Sequence, residues 1–123
     1  MMQLRYATEA DFAPFVELPL PWRVRAFAAV DGGRVLGVGG LAFLPDGTVG
    51  AFVHADDEAR KHKVAAHKAG LRAMQEAKDL GLHCVVAMAA PEIEASERWL
   101  SRLGFAPEVH NDTVVYVWRR EGR

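Results

Sequence analysis

Val49-Gly50-Ala51-Phe52-Val53-His54, followed by Ala55-Asp56-Asp57-Glu58-Ala59-Arg60-Lys61-His62-Lys63 and an Ala-rich run to Leu82, decides the fold. The apolar run reads as a strand, the charged cluster as a loop and the remainder as a helix. Residues 64–80 contain no proline and are rich in Ala, Leu, Met, Gln, Glu and Lys, which lose least on entering a helix. Val64, His67, Leu71, Met74 and Lys78 recur at spacings of three and four, beside Gly70, Ala73 and Ala77. That pattern predicts a narrow, mostly apolar face suited to packing on a sheet. Gly70 costs about 1 kcal/mol relative to Ala inside a helix, so close approach to a neighbouring strand is expected there.

The loop before this helix has two readings. A helix N-terminus leaves unpaired N–H groups that favour an anion, and Arg60, Lys61, His62 and Lys63 stand together there. Alternatively, Asp56, Asp57 and Glu58 cap the helix and the basic residues form a solvated face. The charges alone favour capping, because three acids repel a phosphate.

Upstream, Gln3 to Ala7 alternates as a short strand does, and Thr8 is an N-cap candidate before the stripe Phe12, Phe15, Val16 and Leu18. Leu18-Pro19-Leu20-Pro21-Trp22 ends that brief helix. Trp22 lines a cleft or, more commonly for such a residue, forms an aromatic lid over the core. Val24–Val30 and Val35–Phe43 are expected to pair across Asp31-Gly32-Gly33, with Gly37, Gly39 and Gly40 marking a bulge or close approach. Leu44-Pro45-Asp46-Gly47-Thr48 turns the chain into the decisive strand.

Downstream, Asp79-Leu80-Gly81 stops the long helix, and Leu82–Met88 is an apolar run suited to a central parallel strand. Pro91 opens a second helix, Glu92–Leu103, with acids at its start and Arg98 and Arg102 at its end. Gly104 ends it, Phe105 returns to the core, and Val109 and Thr113–Trp118 form a strand pair around His110-Asn111-Asp112. The order is strand, helix, three strands, helix, strand, helix, strand pair: an α/β (α+β) chain with a mixed sheet.

With 123 residues, 50% hydrophobic and 25% charged, the chain is expected to form one globular domain, residues 1–123. A net charge of −1 gives no global attraction for nucleic acid or an anionic membrane. Cys84 is the only cysteine, so no intrachain disulfide forms, and its apolar surroundings predict a buried thiol in a reducing compartment. Neither a signal peptide nor a membrane span is evident, and cytoplasmic localisation is expected. His62 and His67 are five apart, off one helical face, so no metal site is expected.

Arg5-Tyr6-Ala7-Thr8-Glu9-Ala10-Asp11 near the start resembles an R-x-A-T-x-x-D opening, and Leu103-Gly104-Phe105 matches an L-G-F segment. In this element order, nearly the whole chain resembles the GNAT superfamily of acyl-CoA N-acyltransferases. The resemblance implies that the strand Val49–His54 splays from its parallel neighbour Leu82–Met88. Acetyl-CoA would lie in the gap, against Phe52 and Val53, with its pyrophosphate on Arg60, Lys61, His62, Lys63, Val64 and Ala65. The usual loop is rich in glycine; here Lys61, Lys63 and Ala65 stand at glycine positions. The last helix departs too, with Ile93, Ser96, Trp99 and Leu100 at the usual Asn, Ala, Phe and Tyr positions. Leu100 cannot protonate a leaving thiolate, which leaves water, Ser96, His67 or Tyr116 as acid. His54 is the first candidate for a general base and His67 the second. The implied function is transfer of acetyl from acetyl-CoA to a primary amine. The alternative is a catalytically degenerate module that binds or assembles. A homodimer through Thr113–Trp118, with Trp118 exposed, is a further expectation.

Overall fold

The computed structural model describes residues 2–57, 61–87 and 96–120. Its centre is a hairpin of β2 (Arg23–Asp31) and β3 (Arg34–Phe43), joined through Gly32 and Gly33. Both glycines have positive φ, 59° and 85°, as a two-residue hairpin loop following the right-handed strand twist requires. Register runs from Ala29↔Gly37 to Val30↔Val35, so Leu36 is an extra residue on β3, a β-bulge. At Gly40 the neighbouring strand leaves no room for a side chain: a Cβ would sit 2.1 Å from the Arg25 carbonyl oxygen.

β1 (Met2–Tyr6) adds antiparallel to β2, and β4 (Val49–Ala55) adds antiparallel to β3. Helix α1 (Lys63–Asp79) then carries the chain to β5 (Cys84–Ala87), which runs parallel to β4. A helix is the usual crossover between parallel strands. α1 stops at Gly81, φ 76°, whose N–H reaches the Lys78 carbonyl while Leu82 N–H reaches that of Ala77. After α2 (Ser96–Arg102), the hairpin of β6 (Ala106–His110) and β7 (Thr113–Arg119) turns at Asn111 and Asp112. The seven strands lie in the order β1-β2-β3-β4-β5-β7-β6.

The two faces of the sheet carry separate cores. One holds Leu41, Met74, Ala77, Val85, Ala87, Leu100, Leu103, Phe105, Tyr116 and Trp118, beneath α1 and α2. On the other, Phe12 packs with Ala26, Ala28 and Val38, against the segment following β1.

The expected first helix is a 3-10 turn, Glu9–Phe12. Pro14 stands where the next N–H would bond the Ala10 carbonyl, and Ala13 makes that bond instead. The helical stripe also differs from expectation. α1 buries Ala73, Met74 and Ala77, whereas Val64 is 72% exposed and Leu71 48%. Its small residues, not its large ones, let the backbone come close. Gly70 faces α2: a Cβ there would lie 2.9 Å from Leu103 and 3.2 Å from Trp99, so the close contact is with a helix and not a strand.

Three other expectations are corrected. Cys84 is exposed, because Val85 and Ala87 take the helix-covered side of β5. Trp118 is buried in that same core. Trp22, expected as a lid over the core, keeps 45% of its surface exposed. Pro91 and the first residues assigned to the second helix lie outside the described residues.

Arg5 and Asp11, the ends of the opening motif, form a bidentate ion pair. Arg5 donates from Nη1 at 2.7 Å and from Nη2 at 3.0 Å. Thr8 adds its N–H at 2.7 Å and its hydroxyl at 3.2 Å, on a carboxylate that is almost wholly buried. The Arg5 hydrogen bond, aided by Thr8 and opposed by burial, holds the Asp11 carboxyl at about 2. A folded pKa below the unfolded one stabilises the fold above pH 4, and that contribution disappears as pH falls toward 2. Asp11→Asn should therefore lower the unfolding free energy at pH 7 by about 1–3 kcal/mol. In urea titrations its deficit should shrink between pH 4 and pH 2. Gly40→Ala, which forces backbone apart, should cost about 3 kcal/mol in the same assay.

Candidate functional site

β4 pairs with β3 along its whole length, from Phe43↔Val49 to Gly37↔Ala55. On its other edge, towards β5, the described residues give one registered pair, Gly50↔Val86, and β5 is described as far as Ala87.

Side chains at this edge divide by the period of two. Val53, opposite Gly39, lies on the face that carries α1 and is 44% exposed. Phe52 and His54, opposite Gly40 and Val38, lie on the other face. Their rings are 5.9 Å apart, and Phe52 in turn packs against Phe12 at 5.9 Å. The 3-10 turn thus steadies the part of β4 that presents His54.

α1 starts at the same end of the sheet. His62 is its N-cap residue and makes no side-chain cap bond, and the first turn contains no acid. Ala66 N–H to the His62 carbonyl, 3.0 Å, is the first bond of the helix. Asp56 N–H bonds the Leu36 carbonyl and its carboxylate accepts from Arg34 at 2.6 Å. The Lys61 side chain is exposed and holds no ion pair among the described residues. Val64, expected against a pyrophosphate, is solvent-facing. Arg60 and Glu58 lie outside the described residues, as do the side chains of Lys63, Ala65 and Ser96.

The two candidate histidines do not meet. His54 is on the face opposite α1, and His67 is on α1 itself, half-buried, its Nδ1 without a hydrogen-bond partner. Trp99 Nε1, which faces the same helix near Gly70, is also unpartnered. The sequence could not reveal this separation, because the side of the sheet that a crossover helix covers is set in three dimensions.

Tyr116 is placed better than its sequence context suggested. It pairs with Ala87 at the end of β5, buried beneath α2. Burial first, then the charge and hydrogen bond of Glu97, push its phenol above the ordinary value of 10. It therefore keeps its proton at neutral pH. Leu100 is core. Among the described residues no cluster of His, Cys, Asp and Glu could hold a metal ion, and no helix is long and apolar enough to cross a membrane.

A seven-stranded mixed sheet whose parallel strands β4 and β5 are joined through a crossover helix defines a class seen in solved structures. No family model matches the sequence, and no curated protein does. A GNAT-family acetyltransferase of Staphylococcus aureus superposes with a TM-score of 0.73 at 11% identity, over 97% of this chain and 99% of that one. A Salmonella typhimurium protein solved with acetyl-CoA gives 0.71 at 18%, over 96% and 93%. The ribosomal-protein-S18-alanine N-acetyltransferase of Escherichia coli gives 0.72 at 10%, over 97% and 94%. The chain has the GNAT fold, as the motifs at its two ends implied.

Because the raised phenol binds its proton more tightly when folded, Tyr116 favours the folded state below pH 10, and this advantage declines as pH rises further. An ultraviolet titration should show a phenolate transition above the ordinary tyrosine range that is missing from Tyr116→Phe.

Proposed function

We propose that this chain is an acyl-CoA-dependent N-acetyltransferase acting on a primary amine. The observation that carries the reading is the GNAT fold, shared with a protein solved with acetyl-CoA. In this reading the amide-bearing pantetheine arm of acetyl-CoA lies between β4 and β5. The start of α1, whose N-cap residue His62 makes no side-chain cap bond and is preceded by Lys61, suits the pyrophosphate. When bound, acetyl-CoA supplies a thioester activated for attack by an amine.

Around it the chain's own groups have separable tasks. Phe52 and Val53 line the edge, and β4 N–H groups hold the thioester carbonyl oxygen, where charge develops. His54 takes the proton released as the amine forms its bond to the acetyl carbon. Tyr116 gives its proton to the departing thiolate. Arg60, Lys63 and Ala65 complete the phosphate loop in this reading, Lys63 by charge where a glycine would give backbone approach. His67 has no task in it. The exposed, unbridged Cys84 fits a reducing cytoplasm. The exposed Val109 and Val114 on the terminal hairpin offer a dimer face.

Leu100 favours a second reading. A buried leucine where the fold usually carries its acid is what a binding module descended from an enzyme would retain. Calorimetric titration with acetyl-CoA separates the two. The enzyme reading expects binding with a micromolar Kd, and His54→Ala lowering kcat by about 10²–10⁴ with little change in that Kd. No heat from wild type, with binding restored in Lys61→Gly/Lys63→Gly, would establish the module.

A further inference from the structure

α1 lies over β2 and β3, and α2 packs on β5 and β7 through Leu100 and Leu103. β4 stands between those pairs of strands, so the seam where the two helices meet runs above β4 and its junction with β5. The helices touch at Gly70, where a Cβ would lie 3.2 Å from Cζ2 of Trp99. In the indole ring that carbon adjoins the one bonded to Nε1. His67 is three residues before Gly70 and therefore on the same side of α1. The seam thus has an imidazole on its α1 wall and an indole on its α2 wall.

His67 Nδ1 and Trp99 Nε1 are the buried side-chain polar atoms that lack a hydrogen-bond partner among the described residues. Such atoms are rare, because a buried group left bare forfeits its hydration and gains nothing in return. Here both fall in one seam, on facing elements. A phenylalanine in place of Trp99 would fill much of the same space and carry no N–H to satisfy. The two atoms also differ in what they can take. An indole N–H only donates, whereas an imidazole nitrogen without a proton accepts. A trans secondary amide answers both at once, since its C=O and N–H point in opposite directions.

We propose that His67 and Trp99 bind an amide of the pantetheine arm of acetyl-CoA, Trp99 Nε1 donating to its carbonyl oxygen and His67 Nδ1 accepting from its N–H. The inference rests on the acyl-CoA reading above, in which that arm lies between β4 and β5, beneath the seam, and His67 has no other task. The pair recognises the arm by hydrogen bonds alone and leaves the phosphates to the start of α1. Each residue is plain in the sequence, but nothing local links them. Only the packing of α2 against Gly70 brings the indole to the wall opposite His67.

The test is a ¹H–¹⁵N spectrum of the wild-type indole N–H groups, assigned by sequential connectivities, run beside calorimetric titration. Acetyl-CoA, and S-acetylpantetheine, which carries the arm without the nucleotide, should each move the Trp99 resonance. Adenosine 3′,5′-bisphosphate, the nucleotide without the arm, should leave it in place. Trp99→Phe and His67→Leu should each weaken acetyl-CoA binding by about three- to tenfold. His67→Asn, whose amide oxygen can accept in place of Nδ1, should keep most of the wild-type affinity. If wild type binds acetyl-CoA but the Trp99 resonance does not move, or moves equally with the bisphosphate, or both weakening variants bind as wild type does, the assignment is overturned and the acyl-CoA reading stands. If wild type gives no heat with acetyl-CoA, both are overturned.

Discussion

Everything in this fold turns on the junction of β4 with β5, the parallel pair among the described strands, registered at Gly50 and Val86. On either side of it the strands are well supported, because β4 is fully committed to β3, and β5 to β7. A junction between two well-supported strands keeps its shape, whereas one made by loops would have to be ordered at each binding event.

The helix face that closes the larger core follows the same economy of contact. α1 meets the sheet through Ala73 and Ala77, with Met74 as its one large buried side chain, and meets α2 through Gly70. Small residues set helix and sheet close together, and dispersion attraction rises steeply at short range. The consequence is that Val64 and Leu71, which would dominate a conventional stripe, are left at the surface. Surface valine and leucine on a well-anchored helix are free to serve another contact.

Strand order along the chain was legible because its signals are local. Gly32-Gly33, Pro45-Asp46-Gly47 and Gly104 each mark a place where the backbone needs a conformation few residues accept. The opening motif was legible as well, and its reason is the Arg5–Asp11 pair with Thr8. What could not be read was which residues face each other across elements. Asp56 meets Arg34 at the end of the β3–β4 ladder; His54 and His67 looked like alternatives for one task and lie on opposite sides of a sheet. Tyr116 and Leu100 exchanged apparent importance once burial and Glu97 were visible. Residues far apart in the chain have no sequence signature of contact, so the candidate site was legible in its elements and not in its assembly.

The chain's only thiol, Cys84, is on the surface at the first residue of β5, opposite Arg119 of β7. It lies two residues from Val86, whose pair with Gly50 joins the strand to β4 among the described residues. A single spectroscopic label can therefore be attached to the native sequence with no substitution at all. That makes movement at β5 directly observable, with a fluorophore on Cys84 and the native tryptophans as neighbours.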